Sequence, residues 1–273
     1  MTLTARAALP SGSAWLFCPA DRPERFTKAM QRADVVVLDL EDAVAPDAKR
    51  AARAALIEHP LDPLRVLVRV NPADSPDFAA DLEALGRTPY EWIMLPKTES
   101  PHDLRELSGR SVVALCETPI GVRELDAIAA VEAVHGVMWG SEDLAASLGA
   151  VGSRDDDGQL YDFARRVRTD VLLACAANEI AAIDSVFPDI ANMASLVHEA
   201  QDAAAQGFIA KACIHPDQVA AVREAMHPTP AQIEWAARVV GVGSGSGVVA
   251  VAGHMVDAPV LRRAESILHR AGA

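Results

Sequence analysis

The chain is short of positive charge. Against 38 acidic side chains it carries 25 lysines and arginines, a net charge of −13 at neutral pH. A general nucleic-acid surface must supply cations to phosphates, so that class is excluded, and an anionic small ligand would need its own local cluster of Arg and Lys. Cysteine is scarce too. Cys18, Cys116, Cys175 and Cys213 lie far apart, form no C-x-x-C pair, and three sit in apolar runs. They read as small buried thiols of a reducing compartment. No apolar run approaches the roughly 20 residues that span a bilayer, and Met1–Pro10 has one arginine and no continuous apolar core, which excludes a secretory signal. The expectation is a cytoplasmic protein with neither membrane nor nucleic acid as partner. Also missing are H-x-x-H, H-E-x-x-H, a Walker A pattern and a nucleophile elbow. The single glycine pattern, Gly245-Ser246-Gly247-Val248-Val249-Ala250, satisfies G-x-G-x-x-A but enters a β-branched run instead of opening a helix in a βαβ unit. Within Gly241–Gly247 it reads as a flexible connector to a terminal arm.

What the chain has is apolar residues, 51% of the total with no polar low-complexity block among its 273 residues. That length suits one large domain such as an α/β barrel, or two small ones. Strand and helix signals alternate from the start. Short β-branched or apolar runs at Ala14–Cys18, Val35–Leu40, Arg65–Val70, Trp92–Leu95, Val112–Cys116, Gly136–Trp139, Ala181–Val186 and Phe208–Cys213 predict strands. Between them, helices are predicted from Asp21-Arg22-Pro23-Glu24 (with an acidic cap), and at Asp47–Glu58, Ser75–Leu85, Pro101–Leu107, Gly121–Ala130, Gln159–Ala177 and Met193–Gln206. Eight such units predict a (β/α)₈ TIM barrel, an α/β fold, over residues 1–228. A doubly wound sheet is the alternative, but Pro19 stands where its Gly-rich first turn belongs. Helices at Pro216–Met226, Pro230–Val240 and Pro259–Arg270 follow, and 229–273 form an extra C-terminal helical arm.

Two carboxylates organise the chemistry. Glu117 and Asp143 each follow a predicted strand, at the strand edge where barrels and parallel sheets bind ligands. Together they make a hard, oxygen-rich site suited to Mg²⁺. Taken singly, each reads equally as a cap, Glu117 for the helix starting near Pro119 and Asp143 for the one starting near Leu144. Arg69 ends a β-branched strand and needs an anion. Either a structural carboxylate, Glu41 or Asp42, or a substrate carboxylate would supply it. Of the pair Glu41-Asp42, one acid suits orienting a metal ligand or water, the other capping the next helix. Lys211 in the last strand suggests a Schiff base, with an ion pair or phosphate contact the preferred reading. His215 reads as a polar helix-entry residue, and Asp257 as a cap ahead of Pro259.

In order along the chain stand Trp15-Leu16-Phe17-Cys18-Pro19-Ala20-Asp21-Arg22-Pro23-Glu24-Arg25-Phe26, Leu38-Asp39-Leu40-Glu41-Asp42-Ala43-Val44, Glu117-Thr118-Pro119, Gly140-Ser141-Glu142-Asp143-Leu144, Ile214-His215-Pro216 and Met255-Val256-Asp257. This series resembles the citrate lyase β-subunit-like family, which includes malyl-CoA and citramalyl-CoA lyases, over nearly the whole chain. The resemblance implies a (β/α)₈ barrel, Mg²⁺, and reversible carbon–carbon cleavage of a 3-hydroxyacyl-CoA thioester to acetyl-CoA and an oxo acid. It implies a homotrimer whose C-terminal arm reaches a neighbouring active site. Glu117 and Asp143 then look like the metal ligands, and Arg69 like the residue holding the carboxylate or nascent enolate. Phe17, Arg22 and Lys28 fall where the family contacts coenzyme A, and Asp257 at the acid donated by the adjacent subunit. The segment after Asp257 is a single helix, shorter than in the longer lyases. Two other readings stand beside this one. One is the β subunit of a citrate lyase complex acting on a carrier-protein-bound thioester; the other is a metal-dependent aldolase on free oxo acids.

Overall fold

The computed structural model describes residues 9–243, 249–251 and 254–272, which divide into two compact units on either side of the Ala225/Met226 junction. In the first unit, eight parallel strands close into a barrel in chain order. They are β1 (Ala14–Pro19), β2 (Val35–Asp39), β3 (Val66–Arg69), β4 (Trp92–Leu95), β5 (Ser111–Cys116), β6 (Val134–Trp139), β7 (Ala181–Asp184) and β8 (Ala210–Cys213), with β8 pairing back to β1. The helices are α1 (Phe26–Arg32), α2 (Lys49–Glu58), α3 (Phe78–Leu85), α4 (Pro119–Arg123), α5 (Leu125–Ala129), α6 (Ser141–Ser147), α7 (Asp162–Ala177), α8 (Met193–Gln206) and α9 (Pro216–Met226). Every strand predicted from the sequence is present.

Strand periodicity explains the core. In a closed barrel, alternate residues face the interior and the others face the helices. The interior cluster contains Trp15, Val35 with Val37, Leu67, Trp92 with Met94, Val113 with Leu115, Met138, Ile183, and Ala210 with Ala212. Each set keeps a spacing of two along its strand. Strands buried on both faces need near-continuous apolar runs, and Val35–Leu38 is wholly inaccessible to solvent.

The helices differ from expectation where polar side chains bond locally. The helix expected at Pro101–Leu107 shrinks to one 3₁₀ turn, Arg105–Leu107, because Asp103 Oδ2 takes the amides of Glu99 (2.8 Å) and Ser100 (3.0 Å). The helix expected over Gly121–Ala130 breaks at Glu124 into α4 and α5. The Glu124 amide is shared between the carbonyls of Ile120 (3.1 Å) and Gly121 (3.2 Å), tightening the turn. Helix α7 starts at Asp162 rather than Gln159, whose amide bonds to Asp155 Oδ1 at 2.8 Å in a turn of its own. Asp21 does not cap. The turn after β1 has Arg22 at its N-cap, with no side-chain hydrogen bond.

The second unit holds α10 (Pro230–Gly243), a two-stranded antiparallel pair of β9 (Val249–Val251) and β10 (His254–Val256), and α11 (Ala258–Ala271). Ala236 and Val239 of α10 share a core with Val256 and with Ala264 and Ile267 of α11. The strand pair was not expected. Of the connector expected at Gly241–Gly247, residues 241–243 instead continue α10, three residues past its expected end at Val240, and residues 244–247 lie outside the described residues. Among the described residues, no helix is long and apolar enough to cross a membrane.

Candidate active site

The inward-facing rows of the barrel change character at their carboxyl ends. Val35 and Val37 are followed in phase by Asp39, Leu67 by Arg69, Val113 and Leu115 by Glu117, and Met138 by Gly140. The same parity brings Phe17, Pro19, Ser185 and Ile214 to this rim. These residues, with Asp42 and Asp143, line a cleft of about 320 Å³. The barrel interior below is filled with side chains, so the cleft is a floored cup at the edge where barrel enzymes work.

Arg69 stands in its wall, fastened from behind. Its Nε donates to Asp39 Oδ1 (2.8 Å) and its Nη2 to Asp39 Oδ2 (2.5 Å), a two-point grip on a carboxylate only 1% exposed. Strand register puts Asp39 directly beside Arg69. The guanidinium lies over the Phe17 ring at 4.8 Å, and Nη1 reaches Glu41 Oε2 at 2.9 Å. Burial works against the charge on Arg69, but Asp39 and Glu41 outweigh it and hold the group firmly protonated. The structural anion of Arg69 is therefore Asp39 with Glu41, and not Asp42. Asp42 is exposed, and its Oδ2 faces Lys97 Nζ at 3.5 Å. Neither does Asp42 cap the next turn, Pro46–Ala48, whose N-cap is Ala45. Lys97 Nζ also pairs with Glu41 Oε1. Burial raises the Glu41 carboxyl above its ordinary range, with Arg69 and Lys97 opposing it.

Glu117 is 2% exposed, and among the described residues the only close donor to its carboxylate is a main-chain amide. Its Oε1 accepts the Lys97 amide at 3.0 Å. Burial, then the charges of Asp143 and Glu41, push its carboxyl up to about 8. Neither acid of the pair is a helix cap. Thr118 caps α4, its hydroxyl accepting the Gly121 amide at 3.1 Å, and the N-cap of α6 is Gly140, which places Asp143 inside the first turn. Gly140 is required here, because a Cβ would lie 2.5 Å from Glu117 Cβ and 2.6 Å from its Oε2. We expect Gly140→Ala to cost about 1–3 kcal/mol by overpacking and to displace Glu117, read as lower thermal stability together with weaker divalent-cation binding.

This donor set fits a cation. Among the described residues, no three His, Cys, Asp or Glu side chains cluster closely enough to hold an ion by themselves. A buried carboxylate with its neighbour Asp143 would supply two oxygens and leave positions for water and substrate, as Mg²⁺ prefers. A carboxyl raised in the folded protein contributes stability at low pH that is lost as pH rises through about 8. Cation-free protein should thus lose thermal stability as pH rises from about 4.5 to about 8, and Mg²⁺ should restore more of it at the upper end of that range. Melting curves with and without Mg²⁺, with Glu117→Gln as the control that removes the dependence, check this.

Two other sequence-level suggestions resolve elsewhere. Lys211 faces outward, between the barrel and α8, fully buried. Its three protons go to Asp184 Oδ2 (2.9 Å), Ser185 O (2.8 Å) and Glu199 Oε1 (2.6 Å). Burial pushes Asp184 up, yet Lys211 and Arg168 outweigh it and hold its carboxyl down at about 2. Lys211 is an ion-pair residue with no proton to spare and no face on the cleft. His215 sits at the start of α9, its Nδ1 accepting the Asp217 amide at 3.2 Å. Arg22 and Lys28 are exposed, on the turn after β1 and on α1. Asp257, in the second unit, caps α11 by accepting the Val260 amide at 3.1 Å. Sequence reasoning passed over Asp39 and Lys97. Asp39 was findable, being in phase with Val35 and Val37; Lys97 acts through a loop conformation that no periodicity encodes.

Residues 13–216 match the family model described as HpcH/HpaI aldolase/citrate lyase. The chain is 51% identical over 263 residues to a citrate lyase subunit beta-like protein of Mycobacterium tuberculosis, covering 96% of each chain. It is 30% identical over 288 residues to a mitochondrial citramalyl-CoA lyase of Mus musculus, covering 93% of this chain and 84% of that one. A crystal structure of protein CitE from Mycobacterium tuberculosis, in complex with magnesium, acetoacetate and coenzyme A, superimposes with a TM-score of 0.89 at 50% identity. It spans 96% of this chain and 99% of its own.

Proposed function

This chain belongs to the HpcH/HpaI aldolase/citrate lyase family, and from that premise we propose that it is a Mg²⁺-dependent carbon–carbon lyase. It cleaves the C2–C3 bond of a short 3-hydroxyacyl-CoA to acetyl-CoA and an oxo acid, or forms that bond in reverse. The observation that carries this reading is Glu117, buried beside Asp143 at the barrel mouth on the same rim as Arg69. Relatives named for citramalyl-CoA lyase and citrate lyase support it.

Glu117 and Asp143 are the groups that would hold the cation, which when bound supplies Lewis-acid polarisation of the substrate's oxygens. Asp42 lines the cup and is the carboxylate in place to take the substrate's hydroxyl proton, with Glu41 behind it, paired to Arg69 and Lys97, as the assisting acid. As that proton leaves, the C2–C3 bond breaks, a carbonyl forms at C3, and the electron pair passes into a thioester enolate. Asp39 occupies two N–H groups of Arg69, so others remain to meet that charge from an orientation already set. Phe17, Arg22 and Lys28 receive coenzyme A, the two cations offering charge to its phosphates. The four buried thiols suit the reducing cytoplasm, where we place the protein.

The enolate carbon still needs a proton. Asp257, on an arm reaching the neighbouring subunit of a homotrimer, delivers it. Inactive Glu117→Gln and Asp257→Ala variants, mixed and allowed to exchange subunits, should then recover activity at the minority of sites that pair two intact acids. No recovery after verified exchange would return Asp257 to its capping role alone.

A citrate lyase β subunit working on a carrier-bound thioester is the second reading, favoured by the name of the 51%-identical relative. The purified chain, given free malyl, citramalyl, citryl and 3-hydroxy-3-methylglutaryl thioesters, separates the two. Acetyl-CoA release from any of them supports the self-sufficient lyase, and release only from a carrier-bound thioester supports the subunit.

A further inference from the structure

Lys97 is the residue of this rim that neither composition nor periodicity explains. It follows β4 in Leu95-Pro96-Lys97-Thr98, and its φ is +48°, in the left-handed region that L-residues with side chains rarely adopt. Among the described residues only Glu179 shares this property outside glycine. Such a conformation is strained and persists only where its surroundings over-determine it. They do so here on three sides. Thr98, the next residue, is pinned to both flanking strands, its hydroxyl donating to Leu95 O at 2.8 Å and its amide to Leu115 O at 3.1 Å. The Thr98 carbonyl lies against α4 so closely that a Cβ at Gly121 would be 2.3 Å from it. On the third side the Lys97 side chain crosses to β2 and joins Glu41 and Asp42.

The left-handed turn aims the Lys97 amide at Glu117 Oε1, 3.0 Å away. One carboxylate oxygen is thereby occupied by a main-chain donor. The other, Oε2, lies over Gly140, where the missing Cβ leaves room for it. We propose that Lys97 is a positioning residue. Anchored by its ammonium to Glu41 and Asp42, it locks the β4 loop so that its amide holds Glu117 Oε1 and leaves Oε2 alone to face the cation. This rests on the metal-site reading above and adds to it a single-oxygen mode of ligation and the side chain that enforces it.

Two roles for the ammonium predict opposite signs. If Lys97 merely offsets negative charge, removing it makes the acid cluster more attractive to a divalent cation. If it positions Glu117, removing it loosens the turn and weakens the cation despite the more favourable field. The experiment is a titration of the metal-free protein with Mn²⁺ alone, followed by electron paramagnetic resonance and by calorimetry. It compares the unchanged chain, Lys97→Met, Lys97→Arg and Asp143→Asn. We expect Lys97→Met to raise the Mn²⁺ dissociation constant by about tenfold or more, about 1.4 kcal/mol, and to broaden the zero-field splitting of the bound ion. Lys97→Arg should recover most of the loss, since it keeps a cation within reach of Glu41. Unchanged or tighter Mn²⁺ binding in a folded Lys97→Met protein overturns the inference while leaving the metal site standing. Failure of the unchanged chain to bind Mn²⁺ more tightly than Asp143→Asn overturns the site itself and the inference with it.

Discussion

Glu117→Gln and Asp143→Asn variants will fold, and each will lose turnover by about 10³-fold or more. The loss is that large because Lewis-acid stabilisation is worth several kcal/mol and each ~1.4 kcal/mol is a factor of ten. Glu117→Gln replaces a carboxyl whose ionisation is opposed by burial and by the charges of Asp143 and Glu41. Cation-free Glu117→Gln protein should therefore melt no lower than the parent at pH about 4.5, and increasingly higher as pH rises to about 8. That combination, lost activity with retained or raised stability, separates a metal ligand from a structural carboxylate. The capping alternative predicts the reverse pattern, about 1 kcal/mol of lost stability with activity intact. Steady-state kinetics with melting curves on the same preparations decide it. Thr118 and Gly140 already hold the two cap positions.

Arg69→Lys should be the other severe change, lowering turnover by about 10²–10³-fold, the scale seen when a preorganised donor facing developing charge is lost. Lysine keeps the charge but cannot grip Asp39 at two points while still facing the cup, and it loses the stacking on Phe17. Because Asp39 is buried, a poorer partner also costs stability, so thermal melting must be read beside kcat. A damaged frame with an intact catalytic group would lower stability and spare kcat. We expect kcat to fall further than stability explains, with cation affinity little changed, since lysine keeps the positive charge that acts on Glu117. Near-normal kcat would assign Arg69 to structure.

The sequence displayed the barrel because burial on both faces forces apolar runs, and runs bounded by Gly, Pro or acids have few other readings. It displayed Glu117, Asp143 and Arg69 because each closes such a run. Asp39 was equally visible by parity and was passed over in favour of Glu41 and Asp42, which come after the strand. Local competition was harder to see. Asp103 draws amides away from an expected helix, and Gly140, not an acid, occupies the start of α6. The positive φ of Lys97 and the close approach of Gly140 to Glu117 depend on neighbours far along the chain. Sequence spacing carries no record of them.

The proposed activity is cleavage of a 3-hydroxyacyl thioester driven by a divalent cation at Glu117 and Asp143. Its most direct test is acetyl-CoA release by the purified chain from citramalyl and malyl thioesters, measured with Mg²⁺, after EDTA, and after Mg²⁺ is restored in excess. We predict release with Mg²⁺, loss to background in EDTA, and full return on re-addition, with Glu117→Gln at background throughout. Equal release in EDTA, or undiminished release by Glu117→Gln, would contradict the account.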